Sequence, residues 1–114
     1  MGAGGGIGGN VAMHFAAAGY HAVLCRRSNK EGLEQLVGKI HSNGNQATGF
    51  ILNAIEPDSI EECIARVESE IGIIDTLVFN LGAQTGIKTL QHTTSKSFEF
   101  SWRLATFSLF RAAS

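Results

Sequence analysis

Three short apolar runs, at residues 21–25, 46–52 and 76–79, alternate with stretches in which apolar residues recur every three or four positions. That alternation restricts the chain more than any other feature. Strands joined through a helix pair in parallel, because a parallel connection needs a crossover of a dozen or more residues, and parallel sheets need helices on their faces. Ile7, Val11, Phe15 and Ala18 form the expected apolar stripe of a first helix, which Gly19 ends. Leu33, Leu36, Val37 and Ile40 keep the i, i+3, i+4, i+7 spacing of a second, stopped by Asn43-Gly44. A third helix opens near Pro57, buries Ile60, Cys63, Ile64, Val67 and Ile71, and closes at Gly72, with Glu62 and Arg66 expected to pair on its wet side. The last helix, roughly 96–113, carries Phe98, Trp102, Ala105 and Leu109 on one side and Phe100, Leu104 and Phe107 on another. One buried face cannot take all of these, so one side is expected to cover the sheet and the other to meet a partner subunit.

The expected class is therefore α/β, with a doubly wound parallel sheet in one domain over residues 1–114. Of the 114 residues, 44% are hydrophobic and 17% charged, enough apolar side chains for a core. A net charge of −1 gives no electrostatic case for a nucleic acid or an anionic membrane as partner. Asp75 interrupts the longest apolar run, Ile71 to Leu81, which falls short of the roughly 18 residues of a membrane span. The first residues lack the basic and apolar parts of a secretory signal, and Gly6 stands where a myristoylation signal needs Ser or Thr, so a cytoplasmic chain is expected. Cys25 and Cys63 lie in separate apolar stretches and read as free buried thiols without a neighbouring cysteine. His14, His21, His41 and His92 show no metal-ligand spacing, and no metal site is expected.

Six of the fourteen glycines fall within the first nine positions, directly ahead of the first helix. Such a loop brings backbone N–H groups onto a phosphate at a helix N-terminus, where side chains would obstruct the approach. Two registers fit: Gly2, Gly6 and Gly8 as G-x-x-x-G-x-G, or Gly4, Gly6 and Gly9 as G-x-G-x-x-G. About twenty residues on, the first visible strand ends in Arg26, Arg27 and Ser28, with Asn29 as a further donor and no carboxylate before Glu31. In a dinucleotide-binding fold an acidic residue there selects NAD through the ribose 2′-hydroxyl, whereas arginine accommodates the 2′-phosphate of NADP. NADP is the expected cofactor, and NAD the less favoured one.

With these features the chain resembles the short-chain dehydrogenase/reductase family over its whole length. The likeness rests on the glycine loop in its G-x-x-x-G-x-G register, on Leu52-Asn53 ending the second strand, and on the segment from Asp75 to Ala83. That segment is similar to the family's D-x-L-V-N-N-A-G signature, with Phe79 and Leu81 in place of an Asn and an Ala. The resemblance implies a Rossmann-type sheet and an NAD(P)-dependent oxidoreductase acting on a small carbonyl or alcohol. It implies that Gly2, Gly4, Gly6, Ile7 and Gly8 face the pyrophosphate, and that Arg26, Arg27 and Ser28 face the adenosine ribose phosphate. Asn53 takes the place of a family Asp near the adenine, where its carbonyl oxygen still accepts a hydrogen bond without charge assistance. Asn80, Gly82 and Ala83 would line the ribose side. The helix from Phe98 to Leu109 resembles the one that packs in the family's oligomers, which implies a homo-oligomer.

Two expected parts of the family pattern are missing from the 114 residues. The resemblance places a central strand ahead of the glycine loop, between the runs at 21–25 and 76–79, and a Tyr-x-x-x-Lys pair in the catalytic half. Here Met1 precedes Gly2, the only tyrosine is Tyr20 with Leu24 four residues later, and Ala105 replaces the supporting Asn of the long helix. The expected reading is thus a partial NAD(P)-binding Rossmann domain, lacking the first strand and the C-terminal half, with no catalytic residue and inactive alone. The alternative is a non-catalytic nucleotide-binding or interaction module that docks on a full-length relative through the apolar last helix. A flavodoxin-like or receiver domain shares the alternation but needs paired acidic residues at strand ends, which this sequence lacks.

Overall fold

A computed structural model describes residues 1–82 and 88–114. In chain order these build α1 (Ile7–Ala17), β1 (Ala22–Arg26), α2 (Lys30–Ser42), β2 (Ala47–Ile51) and α3 (Ser59–Glu70). A short 3-10 turn (Leu90–His92) then precedes α4 (Ser95–Trp102) and α5 (Ser108–Ala113), which a π turn, Arg103–Phe107, joins. β1 and β2 pair in parallel from Ala22 opposite Ala47 to Arg26 opposite Ile51, as the crossover through α2 requires.

Alternation along β1 sends its side chains to two separate cores. Ala22 and Leu24 point to one face, where they pack with Ala16 of α1, Leu33 and Ile40 of α2, and Ala47. Val23 and Cys25 point to the other, against Leu52, Ala54, Ile60 of α3 and Ala112 of α5. Helices therefore cover both faces, in an incomplete α/β fold of the doubly wound kind. The ends of α2 follow from its sequence: Asn29, at φ 59°, accepts a hydrogen bond from Gly32 N–H at 3.0 Å, and Gly44, at φ +79°, leads the chain away after Asn43.

Residues 76–79 differ from their expected form, since residues 73–82 form no regular strand. A ladder needs a neighbour along its length, and among the described residues the backbone hydrogen bonds to this segment come from Met1. Its α-ammonium donates to Val78 O at 2.8 Å and its carbonyl accepts from Asn80 N–H at 3.1 Å. On the other side Gly2 and Ala3 N–H both donate to Cys25 O at 2.9 Å. Met1–Ala3 thus bridges β1 and the 78–80 segment at one point. Behind this bridge a cavity of about 620 Å³, lined by Phe15, Leu24, Cys25, Cys63, Val67 and Leu77 among others, separates β1 from residues 73–78. It lies where the resemblance expects a central strand.

Smaller differences concern the helices. In α1 the buried residues are Gly8, Gly9 and Ala16, while Ile7 is 73% exposed and Ala18 lies at the surface. Val11, Phe15 and Ala18 of the expected stripe face the cavity beside β1, while Gly8 and Gly9 are buried because α1 also sits against the loop that precedes it: a Cβ on Gly8 would strike Gly2 O, and one on Gly9 would strike Gly4 O. In α3, Arg66 turns away from Glu62 and pairs with Glu70 at 2.9 Å, with its guanidinium 4.8 Å from the centre of the Phe50 ring. A cation over an aromatic face gains a further attraction that the Glu62 pairing does not offer. The last helix runs without interruption from Ser95 to Ala113, close to the expected span, with a π turn at Arg103–Phe107, after which Ser108 is fully buried. The hydroxyl of Ser108 donates to Arg103 O at 2.7 Å and lies 3.2 Å from Ala54 O.

Candidate cofactor site

The loop glycines fall into two physical classes. Gly2 has φ +83°, and a Cβ there would collide with Asn80 O, so only glycine fits where the loop crosses the 78–80 segment. Gly8 and Gly9 are held by contact with the loop's own carbonyls. Gly4, Gly5 and Gly6 are different: a Cβ at any of them meets nothing within 4 Å. Their lack of side chains serves no internal packing and leaves the space over the start of α1 clear. Gly6 caps α1 without a side-chain hydrogen bond, and the first turn carries no acidic residue. The first N–H groups of α1 and the positive end of its dipole are therefore free to meet an anion, worth about 0.3–1 kcal/mol from the dipole. Ile7, the first residue of the helix, stands exposed at the rim of this opening.

At the same edge, β1 ends in Arg26, half-buried, with Arg27 and Ser28 exposed beyond it. The Arg26 guanidinium lies against α2, where a Cβ on Gly32 would come 3.1 Å from Nη1. Among the described residues neither Arg26 nor Arg27 is in an ion pair. Asn29 is engaged through its Oδ1 as the cap of α2, which leaves only its amide N–H groups as donors. Arg26 O accepts from Leu52 N–H at 2.9 Å, so Asn53 follows beside Arg26 at the carboxyl ends of the two strands. Asn53 is tied into its own turn: Oδ1 accepts from Ile55 N–H at 3.4 Å, and its carbonyl accepts from Ser59 Oγ–H at 2.7 Å. Asn80 is exposed and joined through its backbone N–H to Met1, and nothing lies within 4 Å of a Cβ on the exposed Gly82. Ala83 lies outside the described residues. The expected site residues that the structure describes thus gather at the carboxyl ends of the strands, where open α/β sheets bind ligands. Tyr20, by contrast, precedes the amino end of β1 and packs edge-on to Phe15, with ring centres 5.2 Å apart.

One group at this edge has no local signature in the sequence. Arg111 of α5 donates through Nε and Nη2 to the two Glu61 carboxylate oxygens, at 2.9 and 2.7 Å. It also donates through Nη1 to Ala54 O at 2.7 Å and through Nη2 to Glu56 O at 3.1 Å. This clamp fixes the loop after Asn53 to α3 and α5. The bidentate guanidinium holds the Glu61 carboxyl well below the usual range, at about 2, and the carboxylate in turn raises Arg111. Only the last-turn position of Arg111 hints at a role, since its partners lie 50 or more residues away.

Among the described residues no helix is long and apolar enough to cross a membrane. The family model described as short chain dehydrogenase matches residues 1–114. The 3-oxoacyl-[acyl-carrier-protein] reductase FabG of Staphylococcus epidermidis is 32% identical over 81 residues, 71% of this chain and 33% of that protein. A fatty acyl-CoA reductase of Acinetobacter baylyi is 29% identical over 98 residues, 86% of this chain and 31% of its own length. Among solved structures, the citronellol catabolism dehydrogenase AtuB of Pseudomonas aeruginosa superposes with a TM-score of 0.86 at 31% identity, covering 97% of this chain and 44% of that one. An actinorhodin polyketide ketoreductase solved with NADPH superposes with a TM-score of 0.84 at 23% identity, over 93% of this chain and 40% of that one. The chain spans about a third of the length of the curated relatives it matches.

Proposed function

The chain belongs to the short-chain dehydrogenase family, and from that premise we propose that it is the cofactor-binding part of an NADP-dependent oxidoreductase that interconverts a small carbonyl compound and its alcohol. The observation that carries this reading is the clear space over Gly4, Gly5 and Gly6 at the uncapped start of α1. A diphosphate fits there, because no side chain intrudes and the helix's first N–H groups lack an internal acceptor. When bound, the nicotinamide gives or takes up the hydride. This chain's own residues bind and orient: the loop amides hold the diphosphate, while Arg26, Arg27 and Ser28 receive the phosphate on the adenosine ribose. Asn53 meets the adenine, and Asn80, Gly82 and Ala83 line the ribose beyond it. Preference for NADP over NAD rests on two guanidinium groups without a carboxylate partner among the described residues, and on the lack of any acid between Cys25 and Lys30. No proton transfer is assigned to any residue here, since the 114 residues hold no Tyr-x-x-x-Lys pair.

The aromatic face of α4 and α5 supports a second part of the proposal, self-association through this helix. Phe98 is 68% and Phe110 67% exposed, and the Trp102 and Phe107 rings stack at 5.2 Å beside them. The same face also favours the alternative, docking of a non-catalytic module on a longer relative. Co-purification of a longer homologue with this chain, in preference to a second copy, would select that alternative.

Fluorescence titration with NADPH and NADH tests the cofactor reading. Tighter binding of NADPH is expected, by about 10–100-fold, because charge-assisted hydrogen bonds to a phosphate are worth about 1.5–3 kcal/mol. In the double variant Arg26→Ala/Arg27→Ala the two affinities should converge. Equal affinities in the unaltered chain would refute the assignment.

A further inference from the structure

We propose that Cys25 and Cys63 form a dithiol site that hydrogen peroxide converts into an intramolecular disulfide joining β1 to α3. The two residues are 38 positions apart, yet the fold packs their Sγ atoms 3.8 Å from each other. Read along the chain, each cysteine lacks a thiol neighbour, and this contact is the correction the structure makes to that reading. Both are free, Cys25 buried on the inner edge of the strand and Cys63 half-buried on the helix that covers it. Cys63 is the more accessible of the two sulfurs and the one a small oxidant meets first.

The pair is chemically unequal in the way such a reaction needs. The hydrogen bond shared by the two sulfurs holds Cys63 below the ordinary thiol range, helped by the charge of Arg66. The same hydrogen bond and burial push Cys25 up. Cys63, half-buried on the helix where Cys25 is buried in the strand, is the sulfur that attacks, and Cys25 is the thiol that resolves. The Cys63 sulfur bonds to one peroxide oxygen, the O–O bond breaks, and the departing hydroxide takes up a proton as water. Cys25 sulfur then attacks the resulting sulfenic acid, its proton leaves with the displaced hydroxide as a second water, and the S–S bond forms. Two thiols lose two electrons in total, and the peroxide gains them. Closing from 3.8 Å to the roughly 2.05 Å of a disulfide asks for side-chain rotation between two elements already in contact.

The test is peroxide treatment of the reduced chain followed by intact mass measurement and tryptic mapping without reductant. The expected product has lost two hydrogens and links the peptides spanning residues 1–26 and 40–66, the only ones that carry cysteine. Dithiothreitol should restore both the mass and the separate peptides. The oxidised chain should also unfold at a higher temperature than the reduced one, because the cross-link closes a long loop in the unfolded state. Cys63→Ser should abolish the loss of two hydrogens. Since the decisive readout is on the unaltered chain, a variant that fails to fold does not blunt the test. Gain of oxygen atoms, disulfide-linked dimers, or two thiols that persist after peroxide would each overturn the proposal.

Discussion

The first seventy residues and the last forty solve the same problem, burying apolar side chains against a sheet, with unequal success. In the α1–β1–α2–β2–α3 region each strand has a hydrogen-bonded partner and helices close both faces, so Leu24, Ile40 and Ile60 are sealed from water. From Ile73 onward, the extended segment is hydrogen-bonded to the sheet, among the described residues, through Met1, and α4 and α5 keep Phe98, Trp102, Leu109 and Phe110 at the surface. The lesson is a division of labour. The first region holds the sealed core, whereas the second adds Ser108 and Ala112 to it and leaves its aromatic side chains at the surface.

That contrast can be broken by substitution. The largest effect is expected in the sealed region: Ile40→Ala should cost about 2–5 kcal/mol in denaturant unfolding, because α2 cannot collapse onto the gap without moving off β1. A loss below about 1 kcal/mol would show that this core is loosely packed. Arg111→Ala, at the junction of the two regions, should cost about 1–2 kcal/mol, discounted because Glu61 is half-exposed and solvent screens the pair. The sign of its pH dependence follows from Glu61, whose folded value near 2 lies below the ordinary 4.5. The clamp's contribution is complete above about pH 4.5 and disappears as pH falls toward 2, so the gap between the two proteins should narrow over that window. A gap that stays constant from pH 6 to 2.5 would separate Arg111 from Glu61. The smallest effect on stability is expected for Phe98→Ser/Phe110→Ser, about 0.5 kcal/mol or less, whereas the sedimentation coefficient of any oligomer should drop. Unchanged association would remove this face from the self-association proposal.

How much of this is legible in the sequence depends on whether the cause is local. α2, α3, β1 and β2 lie within three residues of their periodicity, since Leu33 to Ile40 and Ile60 to Val67 carry their own spacing and Asn29 and Gly44 their own turns. The grouping of Arg26, Asn53 and Asn80 at one sheet edge was legible through the family resemblance. What escapes the sequence depends on distant backbone. The burial of Gly8 and Gly9 in α1 escapes it because they answer to carbonyls of the preceding loop. Residues 76–79 have a strand's composition without a strand's neighbour. The π turn answers to Ser108, whose hydroxyl is enclosed near Ala54. Arg111 and the Cys25–Cys63 contact join elements that no spacing rule connects.

The most direct test of the phosphate cradle sets the open glycines against the packed ones. Gly4→Ala/Gly5→Ala places methyl groups where the fold has room and the proposed diphosphate does not, whereas Gly8→Ala forces a methyl group onto Gly2 O. NADPH titration of the Gly4→Ala/Gly5→Ala chain, run beside its thermal unfolding, should show an almost unchanged midpoint and at least a tenfold weaker affinity. Gly8→Ala should lower the midpoint itself. Unaltered NADPH affinity in the Gly4→Ala/Gly5→Ala chain would contradict the account, because the clear space over the start of α1 would then not be where the diphosphate binds.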